Sequence, residues 1–199
     1  MTQNQDMPVS NWNVPNVLTV IRIILVPVYI VVLFMGPHEL SWRLAATAVF
    51  TVAMLTDLAD GHIARKYNLV TDFGKLWDPF ADKALTGAAF VCLSILQELP
   101  WWITIIILVR EWGITWVRAA IKKYGVVMAA NKGGKAKTVT QTFALILFSL
   151  GLQYLPGWLG VVAWALMWAA LILTVVTGVD YLMAAWRIRR DALLKRRAG

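Results

Sequence analysis

Six long apolar stretches, at 17–35, 42–59, 80–96, 101–121, 139–154 and 158–181, dominate this 199-residue chain. Crossing the hydrocarbon core of a bilayer takes about 20 residues of helix, and most of these runs reach or approach that length. A spanning segment must satisfy its own backbone hydrogen bonds, which leaves helices or closed β-barrels. Barrel strands alternate apolar and polar residues, whereas these runs are apolar on every side. The expected architecture is therefore an all-α integral membrane protein with six transmembrane helices. Composition agrees: 59% of residues are hydrophobic and 15% charged, against about 45–50% and about 25% in soluble domains. Such a chain is too apolar to stay disordered. Cys92 is its single cysteine, so no disulfide framework forms within it.

Residues 1–13 are polar and read as a disordered or interfacial entry segment. The first apolar stretch lacks the basic segment before it and the small-residue cleavage site after it that mark a signal peptide. With no internal repeat and no long linker, residues 1–199 read as one transmembrane domain ending in a basic tail at 187–199.

The net charge is +8, and its placement argues for a membrane rather than nucleic acid. Six spans put both termini on one side. That side receives the loops near 61–77 and 118–137 and the tail, which together hold fifteen of the 19 Lys and Arg. The opposite loops hold only Arg43. Basic loops stay in the cytoplasm, so both termini are expected there. The six basic residues of the tail also suit anionic headgroups. Trp42, Trp101, Trp102 and Trp158 fall at the outer ends, where an aromatic belt belongs.

Ionisable residues in or beside spans face the bundle interior and mark function. Asp57 and Asp60 are three apart at the cytoplasmic end of the second helix, and Asp78 and Asp82 four apart at the start of the third. Each spacing puts two carboxylates on one helix face, and the loop between returns the chain so that the faces can meet. Four carboxylates cannot all stay ionised without counter-charge. Protonation, pairing with Lys or Arg, or a metal are the ways out, and Arg65, Lys75 and Lys83 are few for full pairing. Oxygen ligands suit Mg²⁺, Mn²⁺ or Ca²⁺. Zinc would want thiolate or imidazole, and only Cys92, His38 and His62 offer them. Four aspartates suffice for two metals clamping a phosphoryl group. Gly61, Ala64 and Gly74 leave room for close approach, or simply pack helices.

Residues 57–82, DLADGHIARKYNLVTDFGKLWDPFAD, match D-x2-D-G-x2-A-R-x8-G-x3-D-x3-D at all eight fixed positions: Asp57, Asp60, Gly61, Ala64, Arg65, Gly74, Asp78 and Asp82. The chance of that at one site is roughly 10⁻¹⁰ at average residue usage. The pattern resembles the motif of the CDP-alcohol phosphotransferases. Residues 14–22, VPNVLTVIR, are similar to that family's N-terminal segment. Residues 72–83, 110–118 and 134–141 resemble the branch that makes phosphatidylglycerophosphate.

The resemblance implies the family's fold of six transmembrane helices with cytoplasmic termini, a homodimer, and a bacterial inner-membrane enzyme whose site faces the cytoplasm. It implies transfer of a phosphatidyl group from CDP-diacylglycerol to sn-glycerol 3-phosphate. Carried over by position, Asp57 and Asp78 would bridge two divalent cations, Mg²⁺ or Mn²⁺. Asp60 would complete one site and Asp82 the other, with Asp82 also the general base. Gly61, Arg65, Thr71 and Gly74 would contact the CDP moiety, with Asn16 and Thr19 closing over it. The acceptor phosphate needs cations, for which Arg110, Arg118, Lys135 and Lys137 are candidates. Glu111 and Arg118, seven apart on one face, could instead form a structural ion pair. Two alternatives stay open: the same chemistry with inositol phosphate or phosphatidylglycerol as acceptor, and a cation-coupled transporter using buried aspartates. The transporter leaves the fixed Gly, Ala and Arg unexplained and lacks two matching halves with interrupted helices.

Overall fold

A computed structural model describes residues 13–66, 72–122 and 132–198, and the side chains of 13–57, 77–121 and 133–190. All secondary structure among the described residues is helical. The helices are α1 (Val14–Met35), α2 (Leu40–Lys66), α3 (Asp72–Ile95), α4 (Trp101–Lys122), α5 (Lys132–Leu150) and α6 (Gly157–Ala198), with a 3₁₀ turn at Leu152–Tyr154. Six helices match the six apolar stretches, but the helices outrun them. The third begins at Asp72 rather than 80, the fifth at Lys132 rather than 139, and the sixth continues through the basic tail to Ala198. Hydropathy measures where lipid or core lies, whereas the backbone ladder continues through polar residues that favour helix, as Lys and Arg do. The loops expected at 61–77 and 118–137 are therefore mostly helical. Arg43, expected in an outer loop, lies inside α2 and is fully buried.

The chain divides into two compact units, Met1–Cys92 and Leu93–Gly199. In the first, Asn13 caps α1: its side chain accepts the backbone N–H of Asn16 at 3.0 Å, with Pro15 in the first turn where no N–H is needed. α1 packs along α2. Tyr29 and Phe50 meet with ring centroids 5.5 Å apart, and Leu33, Ala46 and Ala53 are buried beside them. Alanines seven apart on α2 let two backbones approach closely, as membrane helices require. Between α1 and α2 the chain turns at Gly36, where a Cβ would sit 2.2 Å from Cδ1 of Trp42. Glycine is the residue that fits.

In the second unit α6 packs against both α4 and α5. Phe148 and Trp164 pack edge to face at 5.1 Å, and Trp102 lies 5.7 Å from Trp168. Ser94 and Thr104 share a buried hydroxyl–hydroxyl bond of 2.6 Å.

Large apolar side chains also point outward, among them Val31, Leu55, Val109 and Val161, each more than half exposed. Contiguous outward-facing apolar surface is unfavourable in water and ordinary in lipid. Val14–Met35 and Gly157–Arg190 are each long and apolar enough to cross a membrane unaided. The other four helices carry the ionisable residues from which the candidate site is built.

Candidate active site

The first unit gathers acidic side chains around α1. Thr19 and Arg22 lie three residues apart on that helix, so they share a face and are separated by about 4.5 Å of helix rise. Both are fully buried. Nη1 of Arg22 sits 2.7 Å from Oδ1 of Asp57 on α2. The hydroxyl of Thr19 lies 2.5 Å from Oδ1 of Asp78 on α3 and 3.1 Å from the carbonyl of Pro15. Having one proton, it donates to the nearer acceptor. Asp57 and Asp78, 21 positions apart in sequence, thus reach one turn of α1. Each of these carboxylates, one from α2 and one from α3, is bound to the same turn of a third helix.

Asp57 keeps about a third of its side chain exposed, 31%, while its guanidinium partner has none. One side of the carboxylate is held and the other faces outward. Asp82 follows Asp78 by one turn, and Thr86 donates to its backbone carbonyl at 3.0 Å. Pro79, between the two aspartates, lies inside α3; it has no N–H to return to the preceding turn, which loosens the helix there. Asn16, one turn before Thr19, is buried. Asp60, Gly61, Arg65 and Gly74 lie on the helical backbone of α2 and α3, but their side chains fall outside the described residues, and Thr71 falls outside altogether.

The side chains that reach this turn are carboxylates, the oxygen ligands that hard divalent cations take, with Asp57 ion-paired and Asp78 hydrogen-bonded. Among the described residues, no group of three or more Asp, Glu, His or Cys stands close enough to hold a metal ion; Asp60 lies outside the described side chains.

The second unit holds a separate polar network. Arg110 on α4 donates from Nε to the carbonyl of Thr174 at 3.1 Å and from Nη2 to the hydroxyl of Thr177 at 2.8 Å. Its Nη1 lies 3.1 Å from Oε1 of Glu111, and Lys137 on α5 binds that same oxygen. Glu111 therefore pairs with Arg110 and Lys137, not with Arg118 as the seven-residue spacing allowed. Arg118 stacks on Tyr181, its guanidinium carbon 4.5 Å from the ring centroid. Gly178 faces the stem of Arg110, where a Cβ would stand 3.1 Å from Cγ. Four expected cations thus divide into two kinds. Arg110 and Lys137 are bound into a network around one carboxylate, while Arg118 and Lys135 are exposed.

Three residues went unnoticed in the sequence. Arg22 carries a signal that could have found it, a lone cation in an apolar stretch. Tyr181 carries none, being one aromatic among many. Gln141, one turn along α5 from Lys137, is buried, and its side-chain carbonyl has no hydrogen-bond partner among the described residues. A buried acceptor of that kind is uncommon, and a ligand's donor would satisfy it.

Comparison with known proteins finds chains of similar sequence. A family model described as CDP-alcohol phosphatidyltransferase matches residues 12–176. A Mycobacterium tuberculosis protein named probable phosphatidylglycerophosphate synthase is 47% identical over 176 residues, covering 88% of this chain and 82% of that protein. A Bacillus subtilis protein named CDP-diacylglycerol–glycerol-3-phosphate 3-phosphatidyltransferase is 37% identical, covering 88% of this chain and 96% of its own. One of the same name from Rickettsia typhi is 39% identical, with 86% and 96% covered.

Proposed function

The chain belongs to the CDP-alcohol phosphatidyltransferase family, and on that footing we propose that it transfers the phosphatidyl group of CDP-diacylglycerol to sn-glycerol 3-phosphate, giving phosphatidylglycerophosphate and CMP. The observation that carries this reading is the complete eight-position motif on α2 and α3, with Asp57 and Asp78 both drawn to one turn of α1. The names of the Bacillus and Rickettsia relatives support the acceptor.

Family members generally depend on divalent cations. Here Asp57, Asp60, Asp78 and Asp82 would hold two, Mg²⁺ or Mn²⁺, which when bound neutralise phosphate charge and stabilise the departing nucleotide. The chain's own residues do the rest. Gly61 and Gly74 let the CDP moiety approach the helix backbone, and Arg65 adds a two-pronged contact to a phosphate oxygen. Asn16, Thr19 and Thr71 line the nucleotide. Arg118 and Lys135 take the acceptor phosphate, with Arg110 and Lys137 supporting them, and the side-chain carbonyl of Gln141 accepts from a glycerol hydroxyl. Asp82 takes the proton of the attacking hydroxyl. A new P–O bond forms at the lipid-side phosphorus, the bond to CMP breaks, and CMP leaves with its electron pair. Positioning and electrostatics supply most of such catalysis.

The same reading covers the setting. All six helices cross the bilayer, both termini and the aspartates lie on the cytoplasmic side of a bacterial inner membrane, and the enzyme works as a homodimer among membrane lipids. The Lys and Arg placement supports the orientation. Residues 1–199 act as one catalytic domain, since the family match runs through both units.

The test is CMP release by the purified protein in detergent with CDP-diacylglycerol and Mg²⁺ or Mn²⁺, offering glycerol 3-phosphate, inositol 1-phosphate and phosphatidylglycerol separately. Release with glycerol 3-phosphate alone is expected. Release only with another acceptor would keep the chemistry and overturn the substrate.

A further inference from the structure

α1 does more for the acidic site than cover it. Its residues 17–35 are apolar except for Thr19, Arg22 and Tyr29, and the two nearest the helix start both touch aspartates of the motif. A fully buried guanidinium in a membrane helix is costly unless a fixed anion compensates it. Asp57 is that anion, 2.7 Å away. The hydroxyls of Thr47 and Thr86 donate to the preceding turn. That of Thr19 lies 3.1 Å from the preceding-turn carbonyl of Pro15 but 2.5 Å from Asp78 on another helix, the nearer acceptor. One ion pair and one hydrogen bond thus engage Oδ1 of two different carboxylates from one turn of one helix.

We propose that Arg22 and Thr19 are positioning residues for metal binding: they fix the rotamers of Asp57 and Asp78, so that these carboxylates meet a divalent cation already aimed. The inference rests on the metal-site reading above and deepens it. An aspartate side chain turns freely about two bonds, and a ligand held in advance loses less entropy on binding. Partners of this kind sustain metal affinity in other proteins, and their removal costs roughly 10–100-fold. The hydroxyl of Thr19 is committed to Asp78, and any part it plays at the nucleotide runs through that carboxylate.

The experiment is a Mn²⁺ titration of the metal-free, full-length protein in detergent, following the electron paramagnetic resonance signal of free Mn²⁺. Thr19→Val removes the hydroxyl at constant shape and charge. Arg22→Lys keeps the charge and loses the planar fork. Each is expected to weaken Mn²⁺ binding roughly tenfold or more, and Thr19→Ser is expected to restore it. Wild-type affinity in folded Thr19→Val and Arg22→Lys would overturn the proposal. So would a lowered thermal midpoint with affinity unchanged, the mark of a packing role alone. Should Arg22→Lys fail to fold, the threonine pair decides. A wild-type protein that binds no Mn²⁺ would overturn the metal site itself, a failure distinct from unchanged affinity in the variants.

Discussion

At the scale of single residues, the acidic groups divide by what holds them. Asp57 and Asp78 are each engaged from α1, whereas Asp82, the proposed base, stands one turn further along α3. Replacing Asp82 with Asn is therefore expected to cut turnover by about 10²–10⁴-fold while CDP-diacylglycerol still binds. Titrating the lipid donor beside the CMP assay checks it, and equal losses in both would remove the base role. On the proposed acceptor side, Lys135 is exposed. Lys135→Ala should raise the KM for glycerol 3-phosphate more than that for CDP-diacylglycerol, read from initial rates with each substrate varied. Glu111 holds Arg110 and Lys137 together. Glu111→Gln is expected to destabilise the protein by about 1–3 kcal/mol, seen as a lower thermal midpoint. The approach of Asp57 and Asp78 to one turn of α1 was partly legible, because both fall near the facing ends of consecutive helices. Arg22 was not, because its partner lies 35 positions away in another helix and no local rule connects them.

At the scale of elements, the number of helices was legible and their ends were not. Apolar runs located each helix, but hydropathy ends where lipid ends, and the backbone ladder does not. Hence α3 reaches back to Asp72, so that Asp78 and Asp82 fall inside a helix rather than at its start. α6 shows the same effect at its other end. Its 42 residues extend about 63 Å, against a hydrocarbon core of about 30 Å. The helix is therefore about twice as long as the core is thick, and it carries the basic tail on its last turns. The tight turn between α1 and α2 depends on Gly36 because Trp42 occupies the space of a Cβ. Gly36→Ala is expected to cost about 1–3 kcal/mol through overpacking, measured by thermal unfolding in detergent. An unchanged midpoint would mean that Trp42 swings aside freely.

For the whole molecule, the account ties orientation to chemistry. A soluble acceptor and a lipid donor can meet only where headgroups reach the cytoplasm, which is where the aspartates are placed if the basic segments are cytoplasmic. In a Cys92→Ala background, a cysteine at Ala198 should react with an impermeant maleimide only after the membrane is opened, and one at His38 should react in intact cells. The reverse pattern would invert the topology. The central claim is the transfer itself. Its most direct test is to follow radiolabelled glycerol 3-phosphate into lipid while measuring CMP in the same vessel. One labelled lipid is expected per CMP released, only when CDP-diacylglycerol and a divalent cation are both present. CMP released with no label entering lipid would make the enzyme a hydrolase of its donor and overturn the proposed transfer.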